Sequence, residues 1–121
     1  MKAIDVNMSL IGREELREKL DRHDTFKLVM VLGEWAFRAK RIPGSINITT
    51  PEAATDALHP GDEIVGYSSH VGCTASRFAL RQLEQAGYAN VRRYAGGIAD
   101  WEEAGYPMEG EWNDDDREST S

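Results

Sequence analysis

The sequence predicts an α/β domain in which a central, mostly parallel sheet of about five strands is flanked by helices. Short apolar segments typical of strands alternate along the chain with segments of helical periodicity, the order in which parallel sheets are built. The segments FKLVMVL (26–32) and EIVGY (63–67) are almost continuously apolar, as in strands buried on both faces. A length of 121 residues allows one domain with one core.

The first helix is predicted in IGREELREKL (11–20). Gly12 is placed as its N-cap and Glu15 as its N3 residue. Ile11 comes just before the cap, where it is expected to pack against Leu16 across the first turn.

Two later helices also carry end signals. Thr50 followed by Pro51 is typical of an N-cap and N1 pair, and predicts a helix that runs through Leu58. A longer helix is predicted from 74 to 86, with Gly87 as the C′ residue that stops it. Its apolar residues at helical spacing are Ala75, Phe78, Ala79, Leu83 and Ala86.

The remaining elements follow from short patterns. They are a strand at 26–32, a short helix at 33–41, a turn leading into a strand around Ile46 and Ile48, a turn at 59–62, strands at 63–67 and 90–94, and a final helix after Gly96 and Gly97. The aromatic residues expected in the core are Trp35, Phe37 and Trp101, whereas His23 and His59 are expected at the surface.

The net charge of −7 is concentrated at the C-terminus, where residues 109–121 contain six acidic residues and one arginine. We therefore predict a single domain over 1–110 and an acidic, disordered tail over 111–121. An acidic chain without a basic stripe is a poor partner for nucleic acid or for an anionic membrane. No segment matches a membrane span or a signal peptide, and the single cysteine excludes an internal disulfide, so a cytoplasmic protein is expected.

The loop that follows EIVGY is the leading candidate for a site, because ligands of parallel sheets bind beyond the carboxyl ends of the strands. The only cysteine, Cys73, falls at the predicted start of the following helix, where the backbone N–H groups favour a thiolate and lower its pKa. Gly72 gives the backbone freedom just before this thiol. His70 is placed to act as a base or hydrogen-bond donor, and Arg77 lies one helical turn beyond the cysteine.

Simpler interpretations stay open at these positions. A single cysteine is often a small buried hydrophobe, and a single loop histidine is often a solvated surface residue. Ser68 has no Ser–His–acid partner set and no G-x-S-x-G elbow, so we expect its hydroxyl and N–H to contact whatever the loop binds. The scattered cysteine and histidines show no metal-ligand spacing, and we predict neither a metal nor a cofactor.

Three segments of the chain resemble the rhodanese-like domain: RIPGSINI (41–48), EIVGYSS with the later cysteine, and GYANVRRYAGGIADWEEAGYPMEG (87–110). The resemblance spans about residues 11–110. It implies a three-layer domain with a mostly parallel sheet between helices. In active members of this family a loop cysteine carries sulfane sulfur as a persulfide, cradled by backbone N–H groups.

The sequence departs from the family pattern at several places. The family's catalytic cysteine directly follows the strand, where this chain has Ser68, so the segment is more similar to a longer-loop variant in which Cys73 is a second thiol. The candidate loop consists of Ser68, Ser69, His70, Val71, Gly72, Cys73 and Thr74. The family's D-V-R aligns with Met30, Val31 and Leu32, and its histidine before I-P-G aligns with Arg41.

The resemblance leaves two functions open. The first is a sulfurtransferase that uses Cys73, with a thiosulfate-like sulfur donor and an unidentified thiophilic acceptor or protein partner. The second is a catalytically inactive module that binds a small anion or a protein through the loop of residues 68–73. Phosphatase or arsenate-reductase chemistry is disfavoured, because the first arginine after Cys73 is Arg77, too close in sequence for the anion clamp of those enzymes.

Overall fold

The computed structural model describes residues 9–69 and 74–111, and within them it confirms the α/β class. Strands and helices alternate along the chain as predicted. In chain order the elements are β1 (Ser9–Leu10), α1 (Arg13–Asp21), β2 (Lys27–Met30), α2 (Glu34–Ala39), β3 (Ser45–Asn47), α3 (Pro51–Ala57), β4 (Glu63–Tyr67), α4 (Ala75–Gln85), β5 (Asn90–Tyr94) and α5 (Gly97–Glu103).

The five strands form one sheet in the order β1-β5-β4-β2-β3, and every adjacent pair is parallel. β4 lies at the centre, with Tyr67 in register with Met30 of β2 and with Tyr94 of β5. The carboxyl ends of these three strands therefore meet at one edge of the sheet, which is the edge where parallel sheets bind ligands. β1 was not predicted, since its two residues carry too little periodicity to be recognised.

Side chains from the two faces of the sheet form two apolar clusters, as alternation along each strand requires. The first cluster, on the side of α1 and α5, contains Ile11, Leu16, Leu28, Met30, Ile42, Val65, Tyr67, Tyr94 and Trp101. The second, on the side of α3 and α4, contains Val29, Ile48, Ala54, Leu58, Ile64, Leu80, Leu83, Tyr88 and Val91. The domain therefore has the predicted three layers, with the sheet in the middle.

Several end signals of the helices are confirmed. Gly12 is the N-cap of α1, and Ile11 and Leu16 are both buried in the first cluster. Thr50 is the N-cap of α3, where its hydroxyl accepts a hydrogen bond of 3.1 Å from the N–H of Ala53. Trp101 is 1% exposed, as expected of a core residue.

The apolar stripe predicted for α4 is confirmed at Leu83 but wrong at Phe78. Phe78 is 63% exposed, and the buried residues of the helix are Ser76, Leu80 and Leu83. The physical reason lies in the sheet beneath the helix, because Leu80 packs directly on Gly66 of β4, where a Cβ would collide with the leucine side chain. A glycine in the central strand lets α4 approach closely through Leu80, which turns Phe78 towards the surface.

Trp35 also departs from its prediction, since it is 70% exposed rather than buried. The inward positions of the short helix α2 are taken by Ala36 and Phe37, which pack against the first cluster. Six helical residues leave room for only one inward stripe, and Trp35 lies outside it.

Tyr67, the last residue of β4, joins the carboxyl edge of the sheet to the turn before β3. Its hydroxyl accepts a hydrogen bond of 3.0 Å from the N–H of Ile42 and lies 2.8 Å from Oγ of Ser45. The side chain is fully buried, and this burial raises the pKa of Tyr67, so the phenol stays protonated at neutral pH. The I-P-G-S turn is thereby fixed to the central strand.

Residues 106–111 form a C-terminal strap across α2 and the following turn. Arg41 and Glu109 exchange two backbone hydrogen bonds of 2.9 and 3.0 Å in an antiparallel bridge, and their side chains are 3.5 Å apart. The N–H of Glu111 donates to the carbonyl of Arg38 at 2.9 Å. The indole N–H of Trp101 donates to the carbonyl of Pro107 at 2.8 Å. Of the tail predicted over 111–121, Glu111 therefore belongs to the strap, and residues 112–121 lie outside the described residues.

Candidate functional site

The candidate loop connects the carboxyl end of the central strand to the start of α4. Ser68 directly follows Tyr67, and α4 begins at Ala75 with Thr74 as its N-cap. His70, Val71, Gly72 and Cys73 fall outside the described residues. The loop is therefore defined structurally by Ser68 and Ser69 on one side and by Thr74 on the other.

Ser68 is held by hydrogen bonds within the fold. Its side chain is buried, with 2% of the residue exposed, and Oγ donates to Oγ of Ser76 in the first turn of α4 at 3.3 Å. Its carbonyl accepts the N–H of Ile98 at 3.0 Å, and the carbonyl of Ser69 accepts the N–H of Ala99 at 2.8 Å. The sequence predicts that the Ser68 hydroxyl contacts a bound group, whereas the structure gives it a partner in α4.

The start of α5 lies directly against these two serines. Gly97 adopts a left-handed backbone conformation with φ of 64°. A Cβ at this position would lie 2.5 Å from the carbonyl oxygen of Ser68 and 2.9 Å from the carbonyl carbon of Ser69. Only glycine fits both the conformation and the space, so Gly97 allows the start of α5 to lie directly against the loop.

Arg93 of β5 is the residue at this site that sequence reasoning missed. It is 7% exposed, and its Nε donates to Oγ of Ser76 at 2.9 Å. Ser76 is 1% exposed and also accepts the hydrogen bond from Ser68, so three buried polar side chains join β4, α4 and β5. We call Ser68, Ser76 and Arg93 the buried polar cluster. A signal was available, because Arg93 is two residues after Val91 and so lies on the same face of a strand that is predicted to be covered on both faces.

The other predicted site residues are more exposed. Arg77 and Thr74 lie at the surface, and the Thr74 side chain makes no capping hydrogen bond. Of the two arginines, Arg93 is therefore the one that the structure connects to the loop, because its side chain and that of Ser68 both donate hydrogen bonds to Ser76.

The end of β2 contributes apolar side chains to this region. Met30 is fully buried, Leu32 packs against the first cluster, and Val31 packs against the second. The Asn47 side chain fixes this turn by donating to the carbonyls of Met30 and Leu32 at 3.0 and 2.7 Å. These positions serve packing, in contrast to the acidic and basic residues that the resemblance places there.

Two concavities lie among the described residues. An open cleft of about 980 Å³ follows the carboxyl ends of β1 and β5, where Arg13 pairs with Asp100 at 3.2 Å. A smaller apolar cavity of about 170 Å³ separates α3 from α4. Ser68, Ser69 and Thr74 line neither of them.

Searches for metal and membrane features used the same described residues. No group of three or more His, Cys, Asp or Glu side chains there is arranged to hold a metal ion. Over 9–69 and 74–111, no helix has both the length and the apolar character needed to cross a bilayer.

A five-stranded parallel sheet between helices, with a strand–loop–helix site at its central carboxyl edge, defines a three-layer α/β domain. The model of the rhodanese-like domain family matches residues 12–104. The chain therefore belongs to the rhodanese-like domain family. A search of curated proteins found no match.

Solved structures share the fold at low sequence identity. The BH2092 protein of Bacillus halodurans is 21% identical, with a TM-score of 0.81 over 90% of this chain and 82% of that chain. The rhodanese-like domain of the Alr3790 protein from Anabaena sp. is 22% identical, with a TM-score of 0.76 over 85% and 80%. A thiosulfate sulfurtransferase from Pseudomonas aeruginosa is 20% identical, with a TM-score of 0.74 over 85% of this chain but only 20% of that chain. At these identities the likeness establishes the fold alone.

Proposed function

We propose that this protein is a sulfurtransferase that carries sulfane sulfur as a persulfide on Cys73. The observation that carries the proposal is the place of the chain's only cysteine, between the carboxyl end of β4 and the first residue of α4. Membership of the rhodanese-like family supports this function class, because the resemblance implies a persulfide-bearing loop at this junction.

The proposed reaction begins with the Cys73 thiolate and a thiosulfate-like donor. The thiolate attacks the outer sulfur of thiosulfate, the S–S bond of the donor breaks, and sulfite leaves with the bonding electron pair. A thiophilic acceptor such as cyanide then attacks the outer sulfur of the persulfide, which yields thiocyanate and restores the thiolate. The reaction transfers one sulfur atom without an external oxidant or reductant.

The surroundings of the loop support a thiolate there. α4 is 11 residues long, and the partial positive charge at its N-terminus favours anions and lowers the pKa of a nearby thiol. The loop ends are held in place from two sides, by the buried polar cluster and by the N–H groups of Ile98 and Ala99. Such fixed ends reduce the reorganisation that binding an anion requires.

Thiosulfate loading followed by mass spectrometry tests the proposal. Incubation should make the protein heavier by one sulfur atom, and peptide mapping should place that atom on Cys73. Cys73→Ala should abolish the gain in mass, whereas Ser68→Ala, the matched control at the strand end, should retain it. An unchanged mass under conditions that load an active rhodanese would refute a sulfur-carrying role.

One observation favours a second function, a non-catalytic module that binds a small anion or a protein partner. Ser68 stands where the resemblance places the nucleophile, and its hydroxyl, which cannot form a persulfide, is buried and bonded to Ser76. This module would bind sulfate or thiosulfate saturably by calorimetry while showing no cyanide-dependent turnover. Turnover that Cys73→Ala removes would reject it.

A further inference from the structure

The apolar cavity between α3 and α4 lies within the second apolar cluster. Val29 and Val31 of β2 line it from the sheet, since they are two residues apart and therefore lie on the same face. Ala54 of α3 and Leu83 of α4 line it from the two helices. Exposed residues such as Gln82 form its rim, so the cavity is reached from the surface between the helices.

Small side chains on the two helices leave this space unfilled. Ala54 and Ala79 both line the cavity, where a larger apolar side chain would be the ordinary choice between a helix and a sheet. Protein interiors are normally close-packed, and an apolar void lowers stability in proportion to its volume. Packing alone therefore gives no reason to retain both alanines, whereas a bound molecule would.

The lining of the cavity is uncharged. Among the described residues that line it there is no Asp, Glu, Lys, Arg or His, although 29% of the residues of the chain are charged. The open cleft beside β1 and β5 differs in this respect, since Arg13, Asp100, Glu102 and Glu103 line it. Because a charge buried without a partner is costly, the cavity selects against ions.

Two hydroxyl groups at the rim can bind a polar group. The Thr50 hydroxyl accepts a hydrogen bond of 3.1 Å from the N–H of Ala53, and its own O–H can donate to a bound oxygen. The Thr55 hydroxyl donates to the carbonyl of Pro51 at 3.1 Å, and its oxygen can accept. An apolar interior with a few polar groups at its edge is the usual construction of a small-molecule site.

We propose that this cavity binds a small uncharged molecule whose apolar body is about the size of a six-membered ring and which carries one hydroxyl group. An apolar cavity of about 150 Å³ is large enough to hold benzene, and this one has about 170 Å³. The ring would contact Val29, Val31 and Leu83, with the hydroxyl at the rim. The site is separate from the candidate loop, because Ser68, Ser69 and Thr74 do not line it.

Titration with phenol, followed by methyl NMR of the full chain, tests the proposal. Phenol is uncharged at neutral pH, and benzoate is the matched probe with the same ring and a negative charge. We expect phenol to shift the methyl resonances of Val29, Val31 and Leu83 saturably, with a Kd on the order of 1 mM for so small a ligand. Benzoate at the same concentrations should leave these resonances unchanged.

Filling the cavity should remove the binding. Ala79→Leu places three further carbon atoms in the space that the ring needs, so we expect the Kd for phenol to rise by roughly tenfold or more. Ala99→Leu is the control, because it makes the same substitution at an exposed position of α5, on the other side of the sheet, and should retain the Kd. Where Ala79→Leu fails to fold, Ala86→Leu at the exposed rim carries the test.

Three results would overturn the proposal. They are the absence of saturable shifts with phenol, an equal response of the same methyl groups to benzoate, and a Kd that is unchanged in the folded cavity-filling variant or equally raised in Ala99→Leu. None of these measurements involves sulfur transfer. Phenol binding in a protein that thiosulfate does not load would support the cavity as a ligand site and still refute the sulfurtransferase.

Discussion

The space beside the first serine of the loop has no room for a Cβ on Gly97, and Gly97→Ala tests what this close packing contributes. The new Cβ would lie 2.5 Å from the carbonyl oxygen of Ser68, a separation at which backbone must shift. The substitution also imposes the left-handed conformation, with φ of 64°, on a residue that has a side chain. Gly105 adopts a similar φ of 78°, but a Cβ added there would meet nothing within 4 Å, so Gly105→Ala is the matched control.

The expected losses in the free energy of unfolding follow from the left-handed conformation and from the clash of the new Cβ. A left-handed conformation costs about 1–2 kcal/mol for a residue other than glycine. The lower entropy of the unfolded alanine chain offsets about 0.4–1 kcal/mol of this at both positions. Overpacking against backbone adds about 1–3 kcal/mol at Gly97 alone. We therefore expect losses in the free energy of unfolding of about 1 kcal/mol for Gly105→Ala and about 3 kcal/mol for Gly97→Ala.

Urea denaturation followed by circular dichroism measures both losses, and thiosulfate loading of Cys73 provides a second readout. Gly97→Ala should load more slowly, because the clash displaces the carbonyl groups of Ser68 and Ser69 that anchor the loop. Gly105→Ala should load like the unaltered protein. Equal losses of stability in the two variants would refute the conclusion that α5 sets the position of the loop.

Three further substitutions probe the fold around the site. Tyr67→Phe should lower the free energy of unfolding by about 1–3 kcal/mol in urea denaturation, because the buried N–H of Ile42 loses its acceptor; a loss below about 0.5 kcal/mol would contradict this role. Thr50→Ala should lower it by about 1 kcal/mol through loss of the N-cap of α3, and Thr50→Ser should restore most of the loss. For Glu15, the hydrogen bond from Arg92 holds the pKa of the carboxyl below its usual 4.5, so its contribution to stability is present above that pH and is lost as the pH falls through the lowered pKa. Wild type and Glu15→Gln should therefore differ in unfolding free energy at neutral pH and converge in acid, and a difference that persists at the lowest pH would contradict the ion pair.

The order of strands and helices could be predicted from the sequence because apolar runs and helix caps are local signals. Ile11 comes just before the N-cap of α1 and Leu16 lies in the first turns after it, and Thr50 directly precedes a proline. The contacts that these residues make therefore join positions that are close together in the sequence. The parallel sheet follows from the alternation of elements, since parallel strands need a crossover between them. The family resemblance added the specific three-layer arrangement.

Features that depend on contacts between distant segments were not predicted. The buried face of α4 depends on Gly66 in the preceding strand, which admits Leu80 against the sheet and leaves Phe78 outside. Arg93 acquires its place in the site through Ser76, 17 residues away along the chain. A pattern of apolar residues ranks Phe78 as buried and Arg93 as exposed, because it contains no information about what lies opposite each side chain.

The C-terminal strap determines where this domain can be cut. The family match ends at residue 104, before the strap begins. A chain shortened there would keep all ten elements bounded above, yet it would remove the acceptor of the Trp101 indole at Pro107 and the backbone partner of Arg41 at Glu109. The unit that must be kept intact is therefore longer than the segment that the family pattern covers, and any fusion partner or protease site belongs beyond Glu111.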